Sequence, residues 1–252
     1  MESTINTGSN RKFRKNGCSF PPNRYQMLLC ATMLLQILMV NLIIVPSIGD
    51  IILRWIMLVS INVFILLVII LLILTTISDA GKMGSYDEGS STQEKIQNAD
   101  PEKVLLVWKT CMINVTPKHK HWFQWNKCIR GFDHHCVWLN NWVGSNNYTK
   151  FLIFTGSYAL FNIMLFWIWI AFIALHNGNT NFTNEHSFFE FYNTTKSEIW
   201  YFVYSIVWLL AVTCILTGGF TTGLLIFHWY LKLRDITTYQ FVMDRRNSKI
   251  AR

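Results

Sequence analysis

Four stretches of almost unbroken apolar residues divide the chain, and the polar residues gather between them and at the two ends. The first covers about 27–46, MLLCATMLLQILMVNLIIVP. The second covers 51–77 and is interrupted near its start by Arg54. The third is 151–175, FLIFTGSYALFNIMLFWIWIAFIAL, and the fourth is 199–227. A helix that crosses the hydrocarbon core of a bilayer needs roughly 20 apolar residues. These runs are apolar on every face rather than along one stripe, unlike the helices of a soluble domain. As buried core helices, four such runs would leave little polar surface for a soluble fold. The first run is too long for a signal peptide, lacks a small-residue cleavage pattern and is followed at once by another span. The pattern predicts four transmembrane helices.

Composition agrees: 52% of residues are hydrophobic and 14% charged, against about a quarter charged in an ordinary soluble domain. The basic residues give an orientation. Arg11, Lys12, Arg14, Lys15 and Arg24 precede or open the first span. The turn at 46–50 has no Lys or Arg, 78–150 has nine, 176–198 has Lys196 alone, and the tail after Phe227 has six. The basic segments therefore lie on one side, expected to be the cytosol, together with both termini. The net charge of +8 reads as membrane-surface charge facing anionic headgroups. It is divided among segments flanking spans, which argues against nucleic acid as a partner. Sequons at Asn181 and Asn193 fall in the segment assigned to the lumen; those at Asn114 and Asn147 fall on the cytosolic side and are expected to be unused.

The expected organisation is a cytosolic arm at 1–26, spans at 27–46 and 51–77, and a cytosolic Cys/His-rich domain at 78–150. A span at 151–175, a lumenal loop at 176–198, a span at 199–227 and a cytosolic tail at 228–252 complete it. Residues 85–103 are polar and acidic and read as a connector. No internal repeat is visible. Cys111, Cys128 and Cys136 would lie in a reducing compartment, where thiols serve metals or catalysis more often than bridges. The stretch 108–151 shows no persistent helical or strand period. Metal coordination is a common substitute for a core in a segment of this kind.

Cys136 is the last residue of Asp133-His134-His135-Cys136. A thiolate, not a thiol, is the nucleophile, and free cysteine ionises near pKa 8.5. Two imidazoles and a carboxylate beside a thiol are the local chemistry of an activated nucleophile. A structural zinc knuckle is the plainer reading, but two His and a Cys exceed what one remaining metal site would use. Neighbours in sequence can point apart, so the tetrapeptide alone leaves the geometry open.

The stretch GFDHHCVWLNNWVGSNNYTKF, residues 131–151, resembles the signature of the DHHC protein S-acyltransferases. The resemblance covers Asp133, His134, His135, Cys136, Trp138, Asn141, Gly144, Asn147 and Phe151. Upstream it takes in Cys111, Pro117, Lys118, His121 and Cys128. Asp79-Ala80-Gly81 is similar to the family's Asp-Pro-Gly, and Thr237-Thr238-Tyr239-Gln240 is similar to its Thr-Thr-x-Glu, with Gln240 standing where the family has Glu. The implied fold is an all-α membrane protein with four transmembrane helices and a cytosolic zinc-binding domain between the second and third. The implied activity is transfer of a long-chain acyl group, palmitoyl in type, from acyl-CoA to protein cysteines. In it Cys136 is the acyl carrier, His134 the base, Asp133 its orienting carboxylate and His135 a zinc ligand. Thr238 would support Asp133. The Asn140–Asn147 run is expected to pin the loop by side-chain hydrogen bonds, with Asn141 a supporting residue.

The family holds two structural zinc ions. Carried across, the first site uses position 108, Cys111, His121 and Cys128, and position 108 is Trp. The second uses 122, 125, His135 and 142, and the three non-His positions are all Trp. An indole N–H only donates and has no lone pair for a metal. The first set keeps three donors, enough for zinc; the second keeps one. Two readings of this uniform replacement stand. Aromatic packing took the place of the metal, or UGA codons that encode Cys were read as Trp, which UGG at all four positions would exclude.

The implied partners are long-chain acyl-CoA, proteins with membrane-proximal cysteines, and the bilayer, with endoplasmic reticulum or Golgi as the expected setting. Trp167, Trp169, Tyr204 and Trp208 are candidates to line an acyl groove or to pack between helices. His228 reads as solvated or interfacial, and Cys214 as packed mid-span. The family's further C-terminal motif is not visible before Arg252, as expected of a short member or a fragment. A catalytically inactive scaffold is the rival function. A membrane-anchored zinc-finger ubiquitin ligase is not supported, because eight cross-braced ligands are missing.

Overall fold

The computed structural model describes residues 16–80, 119–122, 127–177 and 197–250. Cys111, Trp108, Trp125, the connector at 85–103, Gly81, Pro117, Lys118, Asn114, Asn181 and Asn193 lie outside the described residues. The chain divides into two compact units. One is built from Arg24–Thr75 and Lys150–Leu233; the other from Met1–Asn23, Thr76–Thr149 and Arg234–Arg252.

Four helices long and apolar enough to cross a membrane make up the first unit: α1, Arg24–Ser47; α2, Ile51–Ile77; α3, Tyr148–Asn177; and α4, Ser197–Leu233. At 1.5 Å per residue, the 27 residues of α2 reach about 40 Å, beyond a hydrocarbon core of about 30 Å. A π-helical turn at Val40–Ile44 lies just before Pro46, whose missing N–H and bulky ring disturb the regular ladder. Between α1 and α2 the turn is tight. Asp50 Oδ1 accepts the Leu53 N–H at 2.7 Å, an N-cap, and Arg54 Nε donates to the Ile48 carbonyl at 2.8 Å. The charge that interrupts the second apolar run thus serves the turn at the end of the helix.

Burial in this unit is reversed from that of a soluble bundle. Small and aromatic side chains fill the centre, with Phe161, Leu165, Trp169 and Cys214 fully buried, while Leu28, Ile52, Val63, Leu66, Leu209 and Leu216 are exposed. Such a surface suits lipid and would be untenable in water. Several polar side chains turn inward and pair, as a medium without water favours. Gln36 Nε2 donates to Cys214 Sγ at 3.3 Å, and Thr217 Oγ1 donates to Asn162 Oδ1 at 2.6 Å. Asn41 and Asn62 exchange amide hydrogen bonds at 2.9 and 3.4 Å. Trp169 is core packing, whereas Trp167 and Trp208 are exposed, and Tyr204 donates to the Ile173 carbonyl at 3.5 Å. His228 is not solvated: it is 1% exposed, with the rings of Phe151 and Phe227 edge-on at 5.0 and 5.7 Å.

Among the described residues, the second unit holds two small antiparallel hairpins and a helix. β1, His119–Trp122, pairs with β2, Lys127–Arg130. β3, His134–Cys136, pairs with β4, Asn141–Val143. Strands of three and four residues are too short to print a period on the sequence, so no strand was expected. The tail also contains a helix, α5, Thr238–Ile250. Gly131 links the hairpins at φ +55°, the left-handed region that glycine enters without penalty. Asn140 turns β3 into β4 at φ +51°, and its amide donates to the Gly17 and Pro21 carbonyls. Asn141 donates to the Thr76 and Ser78 carbonyls at 3.1 and 2.8 Å, and its Oδ1 accepts the Trp142 N–H. Asn147 donates to the Trp142 carbonyl and accepts the Gly144 N–H. All three Asn are nearly fully buried. Their amides replace sheet and helix bonds that this irregular backbone cannot make for itself. A small apolar cluster of Ala80, Ile129, Phe132 and Trp142, with Tyr239 against it, completes the unit.

The reciprocal Asn pair gives a test of the helical unit. A double-mutant cycle on Asn41→Val and Asn62→Val in bicelles is expected to return a coupling of about 0.5–1.5 kcal/mol. Strict additivity would show that the two amides do not support each other.

Candidate active site

The tetrapeptide Asp133–Cys136 leaves the Gly131 turn and enters β3. Successive side chains of a strand point to opposite faces. His134 and Cys136 therefore share one face, and His135 lies on the other. The alternation answers the question that adjacency in sequence left open. The Asp133 N–H donates to the Val143 carbonyl at 2.9 Å, which continues the β3–β4 ladder and fixes the backbone next to the histidine.

Asp133 is 3% exposed and its carboxylate accepts three hydrogen bonds. The Thr238 N–H donates to Oδ1 at 2.9 Å, and Thr238 Oγ1 donates to Oδ2 at 2.7 Å. His134 Nδ1 donates to Oδ2 at 2.6 Å. An ionised carboxylate only accepts, so the proton sits on Nδ1 and Nε2 is left for other work. Burial acts to raise the Asp133 pKa, but the bonds from His134 and Thr238 outweigh it and hold the carboxyl below the usual range. Burial acts to lower the His134 pKa. The hydrogen bonds to Asp133 and to the Cys136 thiol, with the charges of both partners, outweigh that and raise it to about 9. Carboxylate and imidazole are thus joined by a short hydrogen bond, and the buried Cys136 sulfur belongs to the same face of β3 as the imidazole.

A family model described as DHHC palmitoyltransferase matches residues 102–245. The chain belongs to the DHHC palmitoyltransferase family. Among its relatives, protein S-acyltransferase 8 of Arabidopsis thaliana is 29% identical over 166 residues, covering 66% of this chain and 37% of that protein. Palmitoyltransferase ZDHHC14 of Homo sapiens is 27% identical over 173 residues, covering 69% of this chain and 32% of that protein. Probable protein S-acyltransferase 7 of Arabidopsis thaliana is 32% identical over 145 residues, covering 55% and 29% respectively. The match spans about a third of the length of these relatives.

The family's zinc positions divide into two cases in this DHHC chain. In the first, the backbone register of β1–β2 pairs His121 with Cys128. With Cys111, outside the described residues, these are two thiolate donors and an imidazole, a set that fits zinc. The second case does not fit. His135 pairs with Trp142 across β3–β4, and the two rings meet at 4.3 Å and 47°. Trp142 is 3% exposed and packs on Phe132 at 5.4 Å. A buried indole that offers no lone pair fills the place of a ligand.

Two residues of this site escaped the sequence reading in their structural role. Thr237 and Gln240 form a capping box: Gln240 Oε1 accepts the Thr237 N–H at 2.8 Å, and Thr237 Oγ1 accepts the Gln240 N–H at 3.2 Å. The signal was present as Thr-x-x-Gln, but it stands beyond the fourth apolar run, where no helix was expected.

The His134 shift fixes the sign of a pH effect. A group whose pKa is raised on folding stabilises the fold fully below its unfolded value, here 6.5, and loses that contribution as pH rises through its folded value of about 9. The melting-temperature difference between wild type and His134→Gln in detergent should be widest at low pH and narrow through this window. A difference that widens instead would contradict the pairing.

Proposed function

We propose that this chain is an integral-membrane protein S-acyltransferase that moves a palmitoyl-type acyl group from acyl-CoA to protein cysteines through an acyl-enzyme on Cys136. The observation that carries the proposal is the hydrogen-bonded line from Thr238 through Asp133 to His134, with His134 and Cys136 on one face of β3. Family membership and four helices able to span a bilayer support it.

In the first half-reaction His134 holds the proton given up by Cys136, and Sγ attacks the thioester carbonyl carbon as the thiolate. The bond from that carbon to the CoA sulfur breaks, and the leaving thiolate takes the proton back from His134. The second half-reaction runs the same steps with a substrate cysteine as nucleophile and Cys136 as leaving group. Each half exchanges one thioester for another, so no external energy source is needed. Asp133 keeps Nδ1 protonated, so that Nε2 faces the sulfur, and it stabilises the imidazolium that forms. General acid–base assistance of this kind contributes about 10²–10⁴-fold.

The membrane suits the substrate. Each buried CH₂ of an acyl chain is worth about 0.8 kcal/mol, so a long chain resides in lipid while its thioester lies at the interface. The proposed organisation keeps the Cys/His-rich domain and both termini in the cytosol, with endoplasmic reticulum or Golgi as host membrane and membrane-proximal cysteines as acceptors. Zinc, when bound by Cys111, His121 and Cys128, would supply a cross-link for the β1–β2 hairpin and take no part in acyl transfer.

Purified protein incubated with labelled palmitoyl-CoA should acquire a hydroxylamine-sensitive label. Cys136→Ser should abolish it, and Asp133→Asn should slow its appearance by about 100-fold or more. A folded wild type that stays unlabelled would leave the inactive scaffold as the reading. Elemental analysis of the same protein should find one zinc per chain; two would require donors at 122, 125 or 142 that the sequence lacks.

A further inference from the structure

We propose that Gln240 is a positioning residue for Asp133, acting through the first turn of α5, with Tyr239 as its apolar counterpart; the proposal rests on the acyltransferase reading. A helix leaves its first four N–H groups without partners inside the helix. In α5 the Thr237 side chain, at the N-cap, takes the Gln240 N–H, and Gln240 reaches back to the Thr237 N–H. The Phe241 N–H closes the first turn on the Thr237 carbonyl at 3.0 Å. The Thr238 N–H, left over by this arrangement, points at Asp133 Oδ1, and the Thr238 hydroxyl at Oδ2. The capping box therefore sets the direction of both groups that hold the carboxylate.

The next residue anchors the same turn from the other side. Tyr239 meets Phe132 edge-on at 5.8 Å, and Phe132 meets Trp142 at 5.4 Å. Phe132 is bonded to Asp133, so the ring stack fixes the peptide that carries the carboxylate while the box fixes the donors that receive it. Trp142 sits where a zinc ligand would be sought. In this half of the unit, aromatic packing does what a metal cross-link would otherwise do. An amide at 240 accepts the Thr237 N–H as a carboxylate would, without adding a second negative charge near Asp133.

The test uses the full chain in nanodiscs, with single-turnover formation of the Cys136 acyl-enzyme from palmitoyl-CoA and amide hydrogen exchange read in parallel. Gln240→Ala should slow acyl-enzyme formation about fivefold, the effect of one lost cap, at an unchanged half-saturating palmitoyl-CoA concentration. Exchange should rise in peptides covering 133–136 and 238–241. Gln240→Glu should restore both, and Tyr239→Ala should reproduce the exchange change. Wild-type rate and exchange in Gln240→Ala, or a Glu variant as impaired as the Ala variant, would overturn the proposal. If the folded wild type forms no acyl-enzyme, the acyltransferase reading fails. Exchange then decides alone: a rise at 133–136 in Gln240→Ala upholds the positioning role, and no rise overturns it.

Discussion

A single buried carboxylate organises the site. Asp133 is charged in a setting that excludes water, and an isolated charge there would cost several kcal/mol. Three charge-assisted hydrogen bonds compensate, two of them from a residue 105 positions further along the chain. That long-range closure makes the tail part of the site. It also fixes the proton on His134 Nδ1 and leaves Nε2 for the sulfur.

Among the described residues, the unit around that carboxylate has a small apolar core. Two devices support it. Asn140, Asn141 and Asn147 supply side-chain amides to backbone groups that no regular ladder satisfies. Phe132, Trp142 and Tyr239 form a compact ring stack, each ring burying roughly 150–250 Å² when fully enclosed. In the β3–β4 hairpin the position opposite His135 is an indole, which packs and offers no lone pair.

The helical unit solves the opposite problem. Its surface is apolar, so lipid rather than a core accommodates most of its Leu, Ile and Val. Several of its polar groups turn inward and pair, as at Gln36 with Cys214 and Asn41 with Asn62. His228 follows the same rule and is enclosed by aromatic rings, a placement its position at the edge of an apolar run did not suggest.

Sequence alone determined the four long helices, because a run of apolar residues longer than a bilayer is thick has no other stable use. It also determined the family and the candidate nucleophile, because Asp-His-His-Cys with its flanking Trp, Asn and Gly is a local pattern. It showed that one metal set lacks donors, since valence is a property of residue type. Tertiary structure decided what depends on contact between distant segments. The strand alternation that puts His134 and Cys136 on one face spans three residues, too few to leave a period. The family resemblance pointed to Thr238 as the support of Asp133, but only the fold shows that both its N–H and its hydroxyl make the contact. The turn that aims Thr238 depends on a capping box that looks like any other Thr-x-x-Gln until its helix is seen against the carboxylate.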